Sequence, residues 1–236
     1  MRLIVVVEGQ TERAFVREVL KPHLDVRGVY TSATVVGKVT AQRRGHRRRG
    51  GGHFRHWEMD IRRILGGDRS DDLRLTTLFD LYGLPDDFPG LDEHRSDTDT
   101  ARRCRSLEAT LYDRVADRRF IPYLQRHEFE ALVLAALPSL RNLLDAEDDL
   151  AGLMELEELV ATIAPEDVND GEATAPSKRL LAHVRGFRKA LHGPIATRET
   201  GLAKLREHCP RFGAWVSALE ALSCAGEAED GRPQVR

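Results

Sequence analysis

Hydrophobic positions follow two rhythms along this chain. In the first half, short unbroken aliphatic runs alternate with amphipathic stretches, whereas after Pro138 only the helical rhythm persists. Arg2–Val7 is the clearest run, and such runs suit strands buried on both faces of a parallel sheet. Thr11 to Leu24 places Phe15, Val19 and Leu20 on one face, which predicts a helix that Thr11 can cap. Val29 to Val36 is rich in β-branched residues and predicts a second strand. A short helix from Trp57 to Leu65, closed by Gly66 and Gly67, precedes a third strand, Leu73 to Phe79, that ends at Asp80. Two prolines and two glycines make Tyr82 to Leu91 irregular. Asp97 or Thr98 caps a helix running to about Ala116, Arg119 to Gln125 predicts a fourth strand, and another helix begins near Glu128.

Strand and helix alternating at this spacing imply βαβ units with right-handed crossovers. The expected fold class is therefore α/β, with a central parallel sheet of about four strands flanked by helices. The second half has no clear strand; Leu150–Ile163, Ser177–Leu191, Arg198–His208 and Phe212–Leu222 read as helices. The expected division is an α/β domain over 1–137, a helical extension packed on it over 138–224, and a polar, disordered tail over 225–236.

At 236 residues, 41% hydrophobic and 31% charged, the chain can bury a full core. No apolar run approaches the ~20 residues that span a bilayer, and Met1-Arg2 leads straight into the first strand, so no signal peptide and no membrane are expected. Cys104, Cys209 and Cys224 are odd in number and lack CxxC spacing, as expected for reduced thiols in a cytoplasmic protein.

The net charge of −2 hides a strong segregation. Lys38 to Arg55 carries seven Lys or Arg and no acid, whereas Asp145 to Glu172 carries eleven acids and no Lys or Arg. Arg43, Arg44, Arg47, Arg48 and Arg49 fall in a glycine-containing loop, 42–53, pliant enough to follow a phosphate backbone. In Ser177–Leu191, Leu180, Val184, Phe187 and Leu191 form an apolar face, with Lys178, Arg185 and Lys189 opposite. These are the expected nucleic-acid contacts; a solvated surface with arginine enriched by a GC-rich genome is the plainer explanation. Beyond Phe54 and Trp57 no aromatic residue interleaves the basic loop, so base stacking is not expected.

Acids recur where strands end. Glu8 follows the first strand, Asp80 ends the third, and Glu128 and Glu130 follow the fourth. Ligands of parallel sheets bind beyond the carboxyl ends of the strands, and convergent carboxylates there suit magnesium or manganese. Two such ions about 3.5–4 Å apart can clamp the oxygens of a phosphoryl transfer. Taken singly, each acid, Glu12 included, also reads as a helix N-terminal residue favoured by the dipole. Glu128 and Glu130 point about 200° apart in a regular helix. HEFE over 127–130 is not a zinc-protease HExxH, and His127 reads as structural. Asp86 and Asp87 read as turn residues. Gly9 permits a tight turn, and GQTE is no Walker motif, so ATP binding is not predicted.

EGQTE at 8–12, TTLFDLYGLPDDFPG at 76–90, FIPYLQRHEFEAL at 120–132, SKRL at 177–180, GFRKALHG at 186–193 and GL with REHCPRFGAW at 201–215 resemble one bacterial family, domain of unknown function 4276. That family is regarded as a divergent relative of the Toprim fold of topoisomerases, primases and OLD-type nucleases. The resemblance implies a Toprim/Rossmann-like sheet, Glu8 as general acid or base, and Asp80 as first acid of an Asp-x-Asp metal pair. The second position of that pair is Tyr82, so Glu128 or Glu130 must substitute or metal binding is lost. It further implies a magnesium-dependent nuclease with an SMC- or ABC-type ATPase partner, in phage or mobile-element defence. The competing expectation is a catalytically inactive adaptor that binds such an ATPase or nucleic acid.

Overall fold

The computed structural model describes residues 1–37, 52–169, 171 and 174–223. Arg43, Arg44, Arg47, Arg48 and Arg49 and the tail 225–236 lie outside the described residues. Strand β1 (Arg2–Val7) leads into α1 (Gln10–Phe15), a π-helical turn (Val16–Leu20) and α2 (Lys21–Asp25). Then come β2 (Tyr30–Val35), α3 (Phe54–Gly67), β3 (Leu73–Asp80), α4 (Thr100–Val115), β4 (Phe120–Ile121) and β5 (Leu124–Gln125). The order across the sheet is β2-β1-β3-β4, with β5 also on β3, and every pairing is parallel. The expected fold class is observed.

β1 is central because its aliphatic run is buried from both sides. Leu3, Val5 and Val7 face one core with Phe15, Phe129, Phe212 and Trp215. Val6 faces the other, with Trp57, Ile61, Phe79, Leu107 and Leu111 of α3, β3 and α4. Side chains this deeply buried contribute roughly 1.5–3 kcal/mol each.

Several local expectations shift. The fourth strand is split, because Pro122 has no N–H to give the ladder. Threonine side chains of β3 bridge the gap: Thr76 donates to the carbonyl of Ile121 at 2.6 Å, and Thr77 to that of Tyr123 at 2.7 Å. Asp99, not Asp97 or Thr98, caps α4 by accepting the Arg102 N–H at 3.0 Å. Thr11 lies inside α1, whose cap is Gly9. α3 starts at Phe54, whose N–H donates to Asp87 Oδ1 at 2.7 Å.

The second half is helical: α5 (Glu130–Leu134), α6 (Leu137–Arg141), α7 (Glu147–Thr162), α8 (Pro176–His183), α9 (Lys189–Thr200), α10 (Leu202–His208) and α11 (Pro210–Glu220). The helix expected over Ser177–Leu191 is two helices. Between them the Gly186 N–H reaches Asp149 Oδ1 at 3.1 Å, and a Cβ on Gly186 would sit 2.4 Å from Oδ2. Gly201, at φ +81°, breaks the helix expected over Arg198–His208. These helices dock on the sheet through Trp215, which stacks on Tyr123 at 4.4 Å and donates to Thr76 Oγ1 at 3.0 Å. Among the described residues, no helix is long and apolar enough to cross a membrane.

Candidate active site

Three parallel strands and two helix starts deliver acids to one edge. β1 releases Glu8, β3 ends at Asp80, α1 carries Glu12, and the β5–α5 junction carries Glu128 and Glu130. Glu8 Oε1 accepts the backbone N–H of Asp80 at 2.7 Å. Gly83 lies against the other oxygen, where a Cβ would stand 2.5 Å from Oε2. Gly9 is needed for a similar reason rather than for its dihedrals: a Cβ there would be 2.9 Å from Glu12 Oε2. Glu128 Oε2 accepts the Ser177 N–H at 2.9 Å. Glu130, 4% exposed, meets Lys189 Nζ at 3.3 Å. Asp80 Oδ1 is buried with no hydrogen-bond partner.

Crowding sets the protonation. Burial holds Asp80 well above the usual carboxylate range, and the charges of Glu8, Glu12, Glu130 and Glu128 add to it. Burial also pushes Glu8 up to about 8, against the pull of the Asp80 amide and with a further push from Glu12. Glu12 and Glu130 are raised by burial too, and Lys189 opposes the rise in both. Among the described residues, Lys189 is the one cation ion-paired with any of the five acids.

No three His, Cys, Asp or Glu side chains among the described residues stand as a ready ligand set. The acids converge, but Glu8, Glu128 and Glu130 each hold another partner.

Tyr82, two residues beyond Asp80, is held at two points by one neighbour. Its N–H donates to the His127 carbonyl at 3.0 Å, and its hydroxyl lies 3.3 Å from His127 Nδ1. The side-chain amide of Asn169 lies 2.5 Å from the same hydroxyl. His127 is 1% exposed at φ +61°, and burial pushes it down to about 4, so it is neutral. A backbone in that region costs a non-glycine residue about 1 kcal/mol or more, and it persists where surroundings fix it.

The structure thus brings Glu8, Asp80, Glu128, Glu130 and Lys189 to one place. Lys178 and Arg185 are exposed, and the break between α8 and α9 removes the single basic helix face expected for them with Lys189. Arg185 lines a cleft of about 370 Å³ with Asp148, Asp149 and Glu155. Another cleft, of about 500 Å³, opens beside Gly83 and is lined by Gly52, His53, Leu84, Pro85 and Asp87. Glu12, expected as a helix-start acid, joins the cluster, and Gly83 and Asn169 enter the site with no signal in the sequence.

A family model described as domain of unknown function (DUF4276) matches residues 7–220. The C-terminal region of the Burkholderia pseudomallei OLD protein aligns at TM-score 0.46 and 19% identity, covering 94% of this chain and 97% of that one. The C-terminal region of the Xanthomonas campestris pv. campestris OLD protein, in the structure phased with platinum, aligns at TM-score 0.45 and 16% identity over 97% of both chains. No curated protein matches the chain.

Proposed function

This chain belongs to the DUF4276 family, and from that footing we propose a Toprim-like, divalent-metal-dependent phosphodiesterase acting on nucleic acid. The observation that carries this reading is the crowding of Glu8, Glu12, Glu128 and Glu130 on Asp80, whose Oδ1 is buried and unpartnered, with Lys189 paired to Glu130. Buried like charges are tolerated where a counter-charge completes them. Magnesium and manganese take such hard oxygen donors, so the set fits in charge and in donor type. Asp80 and Glu130, with Glu128, would hold the ion, which when bound polarises a phosphoryl oxygen.

The remaining chemistry belongs to side chains. Glu8 is fixed by the Asp80 amide and, raised to about 8, carries a proton near neutrality that it can give to a leaving oxygen. Lys189 offsets charge on the phosphate. Exposed Lys178 and Arg185, together with Arg43, Arg44, Arg47, Arg48 and Arg49, contact backbone phosphates without reading sequence.

Tyr82 favours a second reading. Its hydroxyl is engaged by His127 and Asn169 where the Toprim pattern places an acid. That suits an adaptor binding an SMC- or ABC-type ATPase, or nucleic acid, in phage or mobile-element defence without catalysis.

The test is incubation with supercoiled plasmid and with single-stranded DNA or RNA, in magnesium, manganese or EDTA, beside Glu8→Ala and Asp80→Ala. Metal-dependent cleavage absent from both variants supports the enzyme. Metal-independent binding without cleavage supports the adaptor.

A further inference from the structure

We propose that Lys189 is the resident counter-ion of the carboxylate cluster, and that a divalent cation must displace it from Glu130 in order to bind. The inference rests on the metal-site reading given above and concerns a different residue.

The two partners of this ion pair differ in freedom. The Glu130 side chain is 6% exposed and cannot follow a moving partner, whereas that of Lys189 is 41% exposed on a flexible four-carbon stem. Lys189 is also the first residue of α9. A helix N-terminus is the positive end of the macrodipole, so an ammonium is misplaced there unless acids hold it. The acids do: its charge acts on Glu12 as well as on Glu130, lowering both against their burial. Lys189 therefore opposes the rise of Glu12 and Glu130, the same task a bound divalent ion would perform with twice the charge. Both cations cannot use the same Glu130 oxygen. The ammonium that leaves is then the group available to a phosphate.

A competitor and a structural support predict opposite signs. If Lys189 merely braced the site, removing it would loosen Glu130 and weaken metal binding. If it competes, removing it tightens binding. Free Mn2+ is followed by electron paramagnetic resonance at about pH 8 in wild type, Lys189→Met, Lys189→Arg and Asp80→Asn, with a thermal melt for each. Lys189→Met is expected to bind Mn2+ roughly tenfold more tightly, the order expected for one nearby charge partly screened by solvent. Lys189→Arg keeps the charge and should match wild type, and Asp80→Asn should bind least. Unchanged or weaker binding by a folded Lys189→Met overturns the exchange. If Asp80→Asn still abolishes binding in that case, the metal site stands and only the exchange falls. If neither wild type nor Lys189→Met binds Mn2+, the metal site and the exchange fall together.

Discussion

The two ends of the same strands treat charge in opposite ways. At the amino ends, Arg2 reaches Asp68 at 2.7 Å and Asp72 at 3.4 Å, and Arg118 pairs with Asp71. Arg119 binds Asp117 at 2.8 Å and donates to the Leu65 carbonyl, also at 2.8 Å. Hydrogen bonds from Arg2 and Arg119 hold Asp68 and Asp117 below their ordinary range. At the carboxyl ends, one lysine among the described residues is ion-paired within a group of five acids, and Glu8, Glu12, Asp80 and Glu130 all lie above theirs. One end is satisfied by the chain itself; the other is left unsatisfied at a cost in stability. Departures of that kind concentrate where a ligand completes the arrangement.

The largest expected effect tests that split directly. Asp80→Asn should lower metal-dependent cleavage by about a hundredfold or more, while its urea midpoint holds or rises because repulsion is relieved. Arg119→Ala should do the reverse. It strips the donor from the buried Leu65 carbonyl, costs about 2 kcal/mol, and leaves Mn2+ affinity unchanged. Equal losses of stability in the two variants would dissolve the contrast.

Two glycines sharpen it. A methyl on Gly83 would collide with Glu8 Oε2, so Gly83→Ala should displace that carboxylate, costing roughly 1–2 kcal/mol and most of the activity. A Cβ on Gly66, in the last turn of α3 near the amino ends of the strands, would meet nothing within 4 Å. Gly66→Ala should therefore be neutral or stabilising by about 0.5 kcal/mol. Chemical denaturation of both variants is the check.

What the sequence discloses about these ends depends on range. β1, β3, Glu8 and Asp80 are legible because an aliphatic run and the acid that ends it lie within ten residues. The split at Pro122 is a local rule as well, set inside a longer apolar pattern. The break at Gly186 is not local: it answers Asp149, 37 residues away. The placement of Lys189 depends on that break, so a continuous helical pattern assigned it to an outward basic face. Glu12 is buried only because the cluster closes over it, which no periodicity reports.

Titration separates the ends by sign. Glu8 has an ordinary value of 4.5 and one of about 8 in the fold, so the folded chain keeps a proton that the unfolded chain has lost. Its stabilising contribution is complete below about 4.5 and disappears as pH rises through about 8. Asp68 and Asp117 run the other way: their contribution is complete above 3.8 and is lost as pH falls through their lower folded values. Glu8→Gln should flatten the alkaline limb, gaining stability near pH 8.5 and nothing near pH 4. Asp117→Asn should alter only the acid limb. Saturating magnesium should raise the wild-type melting temperature more near pH 8 than near pH 5.5, and a shift independent of pH would count against the cluster as its site.

The smallest effect is expected at Tyr82, where it discriminates most finely. Tyr82→Phe removes the hydroxyl shared by His127 and Asn169, which should cost about 1 kcal/mol and leave Mn2+ affinity alone. The backbone bond from the Tyr82 N–H to the His127 carbonyl survives that change, so the turn after β3 stays tied to the segment carrying Glu128 and Glu130. Tyr82→Asp restores a carboxylate two residues beyond Asp80. It should lose the same stability yet bind Mn2+ more tightly, because a ligand is added where a lock was removed. Should Tyr82→Phe itself abolish Mn2+ binding, the hydroxyl is a ligand rather than a lock. The carboxyl end would then be less bare than its five acids and one lysine suggest.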